Sequence, residues 1–238
     1  MYFLSSGEEL TDIGTDKGAA TICEGNDFVV GPMAMIVSKI VECKHDYSIF
    51  DGACGFISER NVAKRAIELK SAKKRLYLPG KKQSKETHYF FNNARILARF
   101  AKEQSAVLNE QVVAVLFRDS DGTATAGRGE WKDKRISMLD GFAEEGFDKG
   151  VPMIPKPKSE AWLICAWKQY SYQGCEALED RSGNDDSPNS LKDELTRILG
   201  QLVTLDLICQ RVKESFEINR VKMRSFNAFR ERLEEVID

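Results

Sequence analysis

Histidine is nearly absent from this sequence, and its cysteines show no spacing typical of a metal site. There are two histidines, His45 and His88, and none of the six cysteines forms a Cys-x-x-Cys pair. Structural zinc requires clustered thiolate or imidazole ligands, so we expect no structural zinc site. Cysteines that are scattered in this way are typical of buried or incidental thiols in a reducing compartment.

Long hydrophobic runs are also missing. No apolar run approaches the roughly 20 residues that are needed to span a bilayer. The first residues, Met1-Tyr-Phe-Leu-Ser-Ser-Gly-Glu-Glu, reach acidic side chains after only a few apolar ones, unlike a signal peptide. We therefore expect a cytoplasmic protein that does not bind a membrane.

The chain has no excess of charge of one sign. Its 238 residues include 35 Lys or Arg and 37 Asp or Glu, a net charge of −2. This near-balance excludes a globally basic nucleic-acid coat and an acidic disordered tail. The length allows a hydrophobic core that needs no disulfide or metal to stabilise it.

The charges are nevertheless segregated. Residues 60–85 contain ten basic side chains and one acid, for a net charge of +9, whereas residues 176–194 carry −5. A local basic stretch can bind phosphates without reading sequence, although the commoner meaning of such a run is a solvated helix face. On the first interpretation, nucleic acid would be contacted by Lys73, Lys74, Arg75, Lys81 and Lys82.

Apolar strands alternate with amphipathic helices along the chain. This pattern predicts an α/β fold with a central, mostly parallel sheet flanked by helices. The strongest strand is Gln111–Phe117, which is apolar on both faces, as an interior parallel strand requires. We predict a core over residues 1–175 with a basic helical insertion around 43–108, and an acidic loop and C-terminal helices over 176–238 that pack on the core. Four residues are predicted helix N-caps: Ser159, Ser190, Thr204 and Ser225.

Acidic residues follow several predicted elements where sheet-borne active sites are usually built. Glu8 and Asp12 follow the first strand, Asp119 and Asp121 follow the strongest strand, and Glu160 lies in the first turn of a helix. Clustered carboxylates repel one another without a cation, and Mg²⁺ prefers such oxygen ligands. Each site also has an ordinary structural interpretation, as a polar turn or as a helix N-terminus that favours acids.

The order of these motifs resembles that of the Toprim domains, the fold of topoisomerases, bacterial primases and the overcoming-lysogenization-defect (OLD) nucleases. In Toprim domains a glutamate follows the first strand and an Asp-x-Asp motif follows the third. More narrowly, the chain is similar to small, stand-alone, OLD-like Toprim proteins of bacteria, and several related proteins lie beside ATPases in phage-defence operons. Four segments carry the resemblance: Gly7-Glu-Glu-Leu-Thr-Asp-Ile-Gly14, Leu116-Phe-Arg-Asp-Ser-Asp-Gly-Thr123, Pro155-Lys-Pro-Lys-Ser-Glu-Ala-Trp-Leu163 and Arg224-Ser-Phe-Asn-Ala-Phe-Arg-Glu-Arg-Leu233.

This resemblance implies a nuclease that depends on Mg²⁺ or Mn²⁺ and acts in phage defence. Glu8, Asp12 and Asp119 would hold one metal ion, and Asp121 and Glu160 would contribute to a second. Glu8, Asp119 and Lys158 would be the catalytic residues, with Lys158 neutralising charge on the phosphate. The alternative is a non-catalytic or partner-gated Toprim module that acts with an ATPase. A homo-oligomer is compatible with either hypothesis. The sequence contains no Walker A motif, so ATP hydrolysis by this chain is not expected.

One alternative concerns the first-strand glutamate. The family usually has Glu-Gly at this position, whereas Glu8 is followed by Glu9. Glu24-Gly-Asn-Asp27 also fits a strand, Glu-Gly and helix order. We prefer Glu8, because the Thr11-Asp-Ile-Gly14 segment after it is the more family-like.

Overall fold

The structure is a computed structural model that describes residues 1–7, 12–17, 20–72, 85–120, 130–200 and 203–238. Its strands are β1 (Tyr2–Gly7), β2 (Gly14–Asp16), β3 (Cys23–Glu24), β4 (Phe28–Val30), β5 (Cys54–Ser58), β6 (Val112–Phe117) and β7 (Gly150–Met153). Its helices are α1 (Pro32–His45), α2 (Glu59–Ala72), α3 (Lys85–Leu108), α4 (Trp131–Glu144), α5 (Ser159–Trp167), α6 (Leu191–Leu199), α7 (Leu205–Ser215) and α8 (Arg224–Ile237).

Five strands form the main sheet in the order β3-β5-β1-β6-β7. The pairs β5–β1, β1–β6 and β6–β7 are parallel, and β3 is antiparallel to β5. The prediction of an α/β fold with a mostly parallel sheet flanked by helices is confirmed at this level. The short strands β2 and β4 pair separately and antiparallel.

Helices cover both faces of the main sheet, because its strands are apolar on both sides. All six residues of β1 and all six of β6 are buried. Phe3 packs in one hydrophobic cluster with α1, α5 and the C-terminal helices, whereas Leu4 packs in a second cluster with α3 and α4. Successive side chains of a strand point to opposite faces, so two cores form from one sheet.

The segment that the sequence indicated as a basic helical insertion, 43–108, contributes more than helices. Cys54–Ser58 within it forms β5, an interior strand that pairs with β1 and β3. The helices α2 and α3 follow β5 and contact each other. The predicted helical insertion therefore also contains a five-residue strand of the core sheet.

The C-terminal helices pack on the core. Leu195, Val212 and Phe229, one from each of these helices, belong to the same buried cluster as β1. The predicted caps Ser190 and Thr204 accept hydrogen bonds from the backbone N–H groups of Asp193 and Leu207.

The other two predicted caps are wrong. At the start of α8, the N–H groups of Arg224 and Ser225 donate to the buried carboxylate of Glu179, at 3.2 and 2.6 Å. The Ser225 hydroxyl instead accepts a hydrogen bond from the indole of Trp162. The N-cap of α5 is Lys158, and Ser159 is the first helical residue. Tertiary partners have replaced local capping at both positions.

Cys165 and Cys175 form a disulfide, so the interpretation of all six cysteines as thiols is wrong for these two. The chain turns back after α5, where the N–H of Tyr172 donates to the Cys165 carbonyl at 2.7 Å. Gly174, with a φ of +57°, then starts the 3-10 helix Cys175–Asp180. Glycine adopts this left-handed conformation without the steric penalty of other residues.

Within the described ranges, none of the helices combines the length and apolar character that crossing a membrane would require.

Candidate active site

The carboxyl ends of the four parallel strands lie in one row. Gly7, the last residue of β1, pairs in register with Ser58 and Phe117, and Phe117 pairs with Met153. The residues that follow these strands therefore emerge at the same edge of the sheet, which is where open α/β sheets bind ligands. They include Glu59 after β5 and Asp119 just after β6.

Three of the predicted metal ligands meet at Ser159. Its hydroxyl donates a hydrogen bond to Asp12 Oδ1 at 2.6 Å, and its backbone N–H donates to Asp119 Oδ1 at 2.9 Å. Glu160 Oε2 lies 3.4 Å from the same hydroxyl oxygen. Residues from two distant parts of the chain are thus brought to the first turn of α5, which contains Glu160 and whose N-terminus favours negative charge.

The backbone around Asp12 is fixed by the start of α1. The Asp12 carbonyl accepts a hydrogen bond from the N–H of Met33 at 2.9 Å. Gly31 allows this approach, because a Cβ atom at that position would lie only 2.2 Å from the Asp12 carbonyl oxygen. The Asp12 side chain is therefore presented to Ser159 from an anchored turn.

Asp119 lies on a loop that is tied to the segment after β7. The N–H of Ser120 lies 3.1 Å from the carbonyl oxygens of both Pro155 and Pro157. Lys134, which is only 2% exposed, donates a hydrogen bond from its Nζ to the Ser120 carbonyl at 2.8 Å. This network holds Asp119 beside Ser159, and Lys134 acts as a buried support for the loop.

Both lysines of the Pro155-Lys-Pro-Lys158 segment are paired with the acidic loop. Lys158 Nζ lies 2.9 Å from Asp185 Oδ1, and Lys156 Nζ lies 3.2 Å from Asp180 Oδ1. The Lys158 side chain is largely buried, at 12% exposure. The acidic loop is therefore folded against the candidate site instead of projecting into solvent.

An arginine that the sequence analysis did not single out flanks the site. Arg118 directly precedes Asp119, and its Nη1 lies 3.2 Å from Glu59 Oε1. Its guanidinium also stacks over the Tyr89 ring, 4.0 Å from the centroid. Because β1 lies between β5 and β6, this ion pair spans the end of β1, the strand that Glu8 follows in the sequence.

Several predicted site residues lie outside the described residues, so the structure places only part of the prediction. These are Glu8, Asp121 and the five basic residues Lys73, Lys74, Arg75, Lys81 and Lys82. Asp12, Asp119 and Glu160 come together at Ser159, and Lys158 is next to it. Within the part of the chain that the structure describes, no three His, Cys, Asp or Glu side chains form a group that could hold a metal ion.

The alternative first-strand glutamate, Glu24, lies at the other end of the sheet. It ends β3, pairs in register with Gly55 near the start of β5, and accepts a hydrogen bond from the hydroxyl of Tyr2. Burial, and to a smaller extent the nearby charge of Glu24, raise the pKa of the Cys54 thiol to about 11. Glu24 thus belongs to a polar cluster at the amino ends of the strands, away from Asp119.

Two side chains at the site, Ser159 and Lys134, could not be recognised from the sequence as site residues. Ser159 has the sequence signature of a helix N-cap, and its role depends on Asp12, which is 147 positions away. Lys134 is one of many charged residues in its region, and its burial is a property of the fold. For Arg118, the available signal was its position directly before Asp-Ser-Asp.

The chain was compared with protein-family models, with curated proteins and with solved structures, and none of the three comparisons found a match.

Proposed function

We propose that this chain is a metal-dependent nuclease of the Toprim type, which hydrolyses phosphodiester bonds at the carboxyl edge of its sheet. The observation that carries the proposal is the convergence of Asp12, Asp119 and Glu160 on Ser159. Asp12 and Asp119 come from parts of the sequence far from the Ser159–Glu160 pair, and the local geometry of a turn or a helix does not account for their meeting there. Active sites are where such like charges are typically gathered.

The order of the strands supports the same assignment. In chain order, β1 is the first parallel strand of the main sheet and β6 is the third. Glu8 is the next residue in the sequence after β1, and Asp119-Ser-Asp121 follows β6 after a single arginine. This is the arrangement that the resemblance to Toprim domains implies.

The donor set fits a hard divalent cation. The candidate ligands offer carboxylate oxygens only, and Mg²⁺ and Mn²⁺ prefer oxygen ligands. Glu8, Asp12 and Asp119 would hold one ion, and Asp121 and Glu160 would contribute to a second. When bound, such ions supply an activated water and neutralise charge on the scissile phosphate and the leaving oxygen.

The residues around the acids have separate tasks in this proposal. Ser159 orients Asp12 and Asp119 through its hydroxyl and its N–H group. Lys158 and Arg118 flank the acids and would bind phosphate oxygens, for which a cation next to the reacting group is suited. Further contacts to the strand would come from the basic stretch at 60–85, in which Arg60 and Lys64 on α2 are exposed.

One observation favours gating by a partner. Lys158 is held by Asp185, so this conformation already neutralises a cation that the substrate would need. An ATPase that moves the acidic loop would release Lys158. We therefore include in the proposal a cytoplasmic defence effector that works with an ATPase, and a non-catalytic Toprim module is the alternative.

The function is tested with plasmid DNA and single-stranded RNA, each incubated with Mg²⁺, with Mn²⁺ or with EDTA. We expect cleavage that requires the metal, and we expect Glu8→Gln to abolish it. The matched control is Glu24→Gln, which makes the same chemical change at the opposite edge of the sheet and should leave cleavage within about twofold. Cleavage that survives Glu8→Gln, or a wild-type protein that is inactive both alone and with an ATPase partner, would refute the nuclease proposal.

Release of Lys158 should strengthen nucleic-acid binding. Asp185 is 48% exposed, and a surface ion pair is worth about 0–1 kcal/mol, so Asp185→Asn should tighten oligonucleotide binding by up to about fivefold. Binding is measured by fluorescence anisotropy in EDTA, which separates it from cleavage. Asp186→Asn is the control, since it removes the same charge from the neighbouring exposed position. Equal tightening in both variants would mean that net charge, and not Lys158, is responsible.

A further inference from the structure

A cavity lies at the other end of α5 from the acidic site. It has a volume of about 610 Å³ and is lined by Lys168, Gln169, Arg181, Asn189, Glu194 and Arg197, with Ile198 on one wall. We call it the α5–α6 cavity. Ser159 and Lys168 are nine positions apart, which is roughly 13 Å along a helix, so this cavity is separate from the acidic site.

Three cations from three different elements face this cavity. Lys168 directly follows α5, Arg181 follows the 3-10 helix, and Arg197 is in the last turn of α6. The acid among the lining residues is Glu194, and it is already paired with Arg181. The cavity therefore has an excess of two positive charges.

The wall that contains Arg181 is preformed. Arg181 Nη1 contacts the Glu194 carboxylate, and Nη2 donates to the Asn189 carbonyl at 2.6 Å. Lys168 Nζ and the Arg197 guanidinium make no hydrogen bond or ion pair with any described residue. Two cations that have no hydrogen-bond or ion-pair partner among the described residues thus lie beside a guanidinium that is fixed in place.

The environment of Lys168 also favours an anion. Burial lowers the pKa of its ammonium group, and the charge of Glu194 opposes this shift only in part. A bound anion would stabilise the charged form and oppose this shift. Arginine and lysine side chains that converge in this way are suited to phosphate, which carries several acceptor oxygens.

We propose that the α5–α6 cavity binds a small phosphorylated ligand of nucleotide size. Its phosphate groups would lie against Lys168 and Arg197. The side-chain amides of Gln169 and Asn189 would form hydrogen bonds with the other polar groups of the ligand. Pockets for small ligands usually measure about 300–1,000 Å³, so this cavity has more space than a single phosphate ion needs. This site is independent of the acidic site and does not require nuclease activity.

The test is calorimetric titration with ATP, pyrophosphate and adenosine in EDTA, which keeps divalent metal from the acidic site. We expect ATP and pyrophosphate to bind and adenosine not to bind. Lys168→Ala combined with Arg197→Ala should weaken ATP binding at least tenfold. The charge-matched control is Lys192→Ala with Lys222→Ala, at exposed positions outside the cavity, and it should change binding less than twofold.

A second variant separates loss of binding from loss of folding. Lys168→Arg with Arg197→Lys keeps both charges and should retain ATP binding within about threefold. Absence of ATP and pyrophosphate binding in the wild type would overturn the proposal, as would an equal loss in the control. Stronger binding of a 5′-phosphorylated hexanucleotide than of ATP, lost in the same double variant, would also overturn it by placing a nucleic-acid strand in the cavity.

Discussion

Replacement of Asp119 by asparagine is expected to reduce the rate of metal-dependent cleavage at least about 100-fold. Mutation of a residue that only supports a metal ligand typically lowers metal affinity or activity by about 10- to 100-fold, and Asp119 is proposed as a ligand itself. Asparagine keeps an oxygen at the position of Oδ1, so the hydrogen bond from the Ser159 N–H can still form. What is lost is the negative charge that a divalent cation requires. The substitution therefore separates a role in metal binding from a role in holding the loop.

The folded state should tolerate this change. The net contribution of a hydrogen bond to stability is roughly 1 kcal/mol larger when its acceptor is charged than when it is neutral. We therefore expect only a small fall in the free energy of unfolding. Cleavage rates and urea unfolding are measured on the same preparation. Asp140→Asn serves as the control, because Asp140 is exposed on α4, away from the loop that bears Asp119. If Asp119→Asn cleaves at the wild-type rate, the acids at Ser159 are not the catalytic centre.

The parts of the fold that the sequence predicted are those with strong local patterns. Val112–Phe117 is apolar on both faces and is an interior parallel strand, and the proline-containing β7 lies at the end of the sheet, the position to which prolines in strands are usually confined. Pro32 marks the start of α1 because its missing N–H costs nothing in the first turn. In these cases burial and local geometry favour the same structure.

The parts that were missed depend on contacts between distant residues. Cys54–Ser58 is a segment of only five residues, too short for a distinct hydrophobic period, and its strand character comes from pairing with β1 and β3. Serine is a residue type that commonly caps helices, yet the Ser159 hydroxyl donates its hydrogen bond to Asp12. A residue of this kind has two possible partners of similar strength, and only the tertiary arrangement decides between them.

The acidic loop shows the same limit for charge. Its net charge is −5, but several of its acids already form hydrogen bonds or ion pairs with other residues of the chain. Glu179 accepts hydrogen bonds from backbone N–H groups at the start of α8. Asp180 and Asp185 form ion pairs with the two lysines before α5. Net charge counts the acids of a segment and carries no information on which of them are already neutralised.

The aromatic cluster between α5 and α8 should carry the largest effect on stability. Trp162 is fully buried, packs 5.7 Å from the Phe229 ring and 5.1 Å from the Phe226 ring, and donates its indole N–H to Ser225 Oγ at 2.9 Å. We expect Trp162→Ala to lower the free energy of unfolding by about 3–5 kcal/mol, because it leaves a large cavity and an unpaired hydroxyl. Such a loss is a large share of the roughly 5–15 kcal/mol that stabilises a typical domain.

Urea denaturation followed by circular dichroism measures this effect. Because Trp162→Ala is expected to lie close to the limit of folding, Trp162→Phe provides a milder test, with an expected loss of about 1–3 kcal/mol from the smaller cavity and the lost hydrogen bond. Tyr170→Ala is the control, since Tyr170 is 65% exposed and should change stability by less than about 0.5 kcal/mol. A loss below about 1 kcal/mol in Trp162→Ala would mean that this cluster does not fix α5 to α8. In that case the position of Ser159 and Glu160 would have to depend on the loop contacts of Asp12 and Asp119 alone.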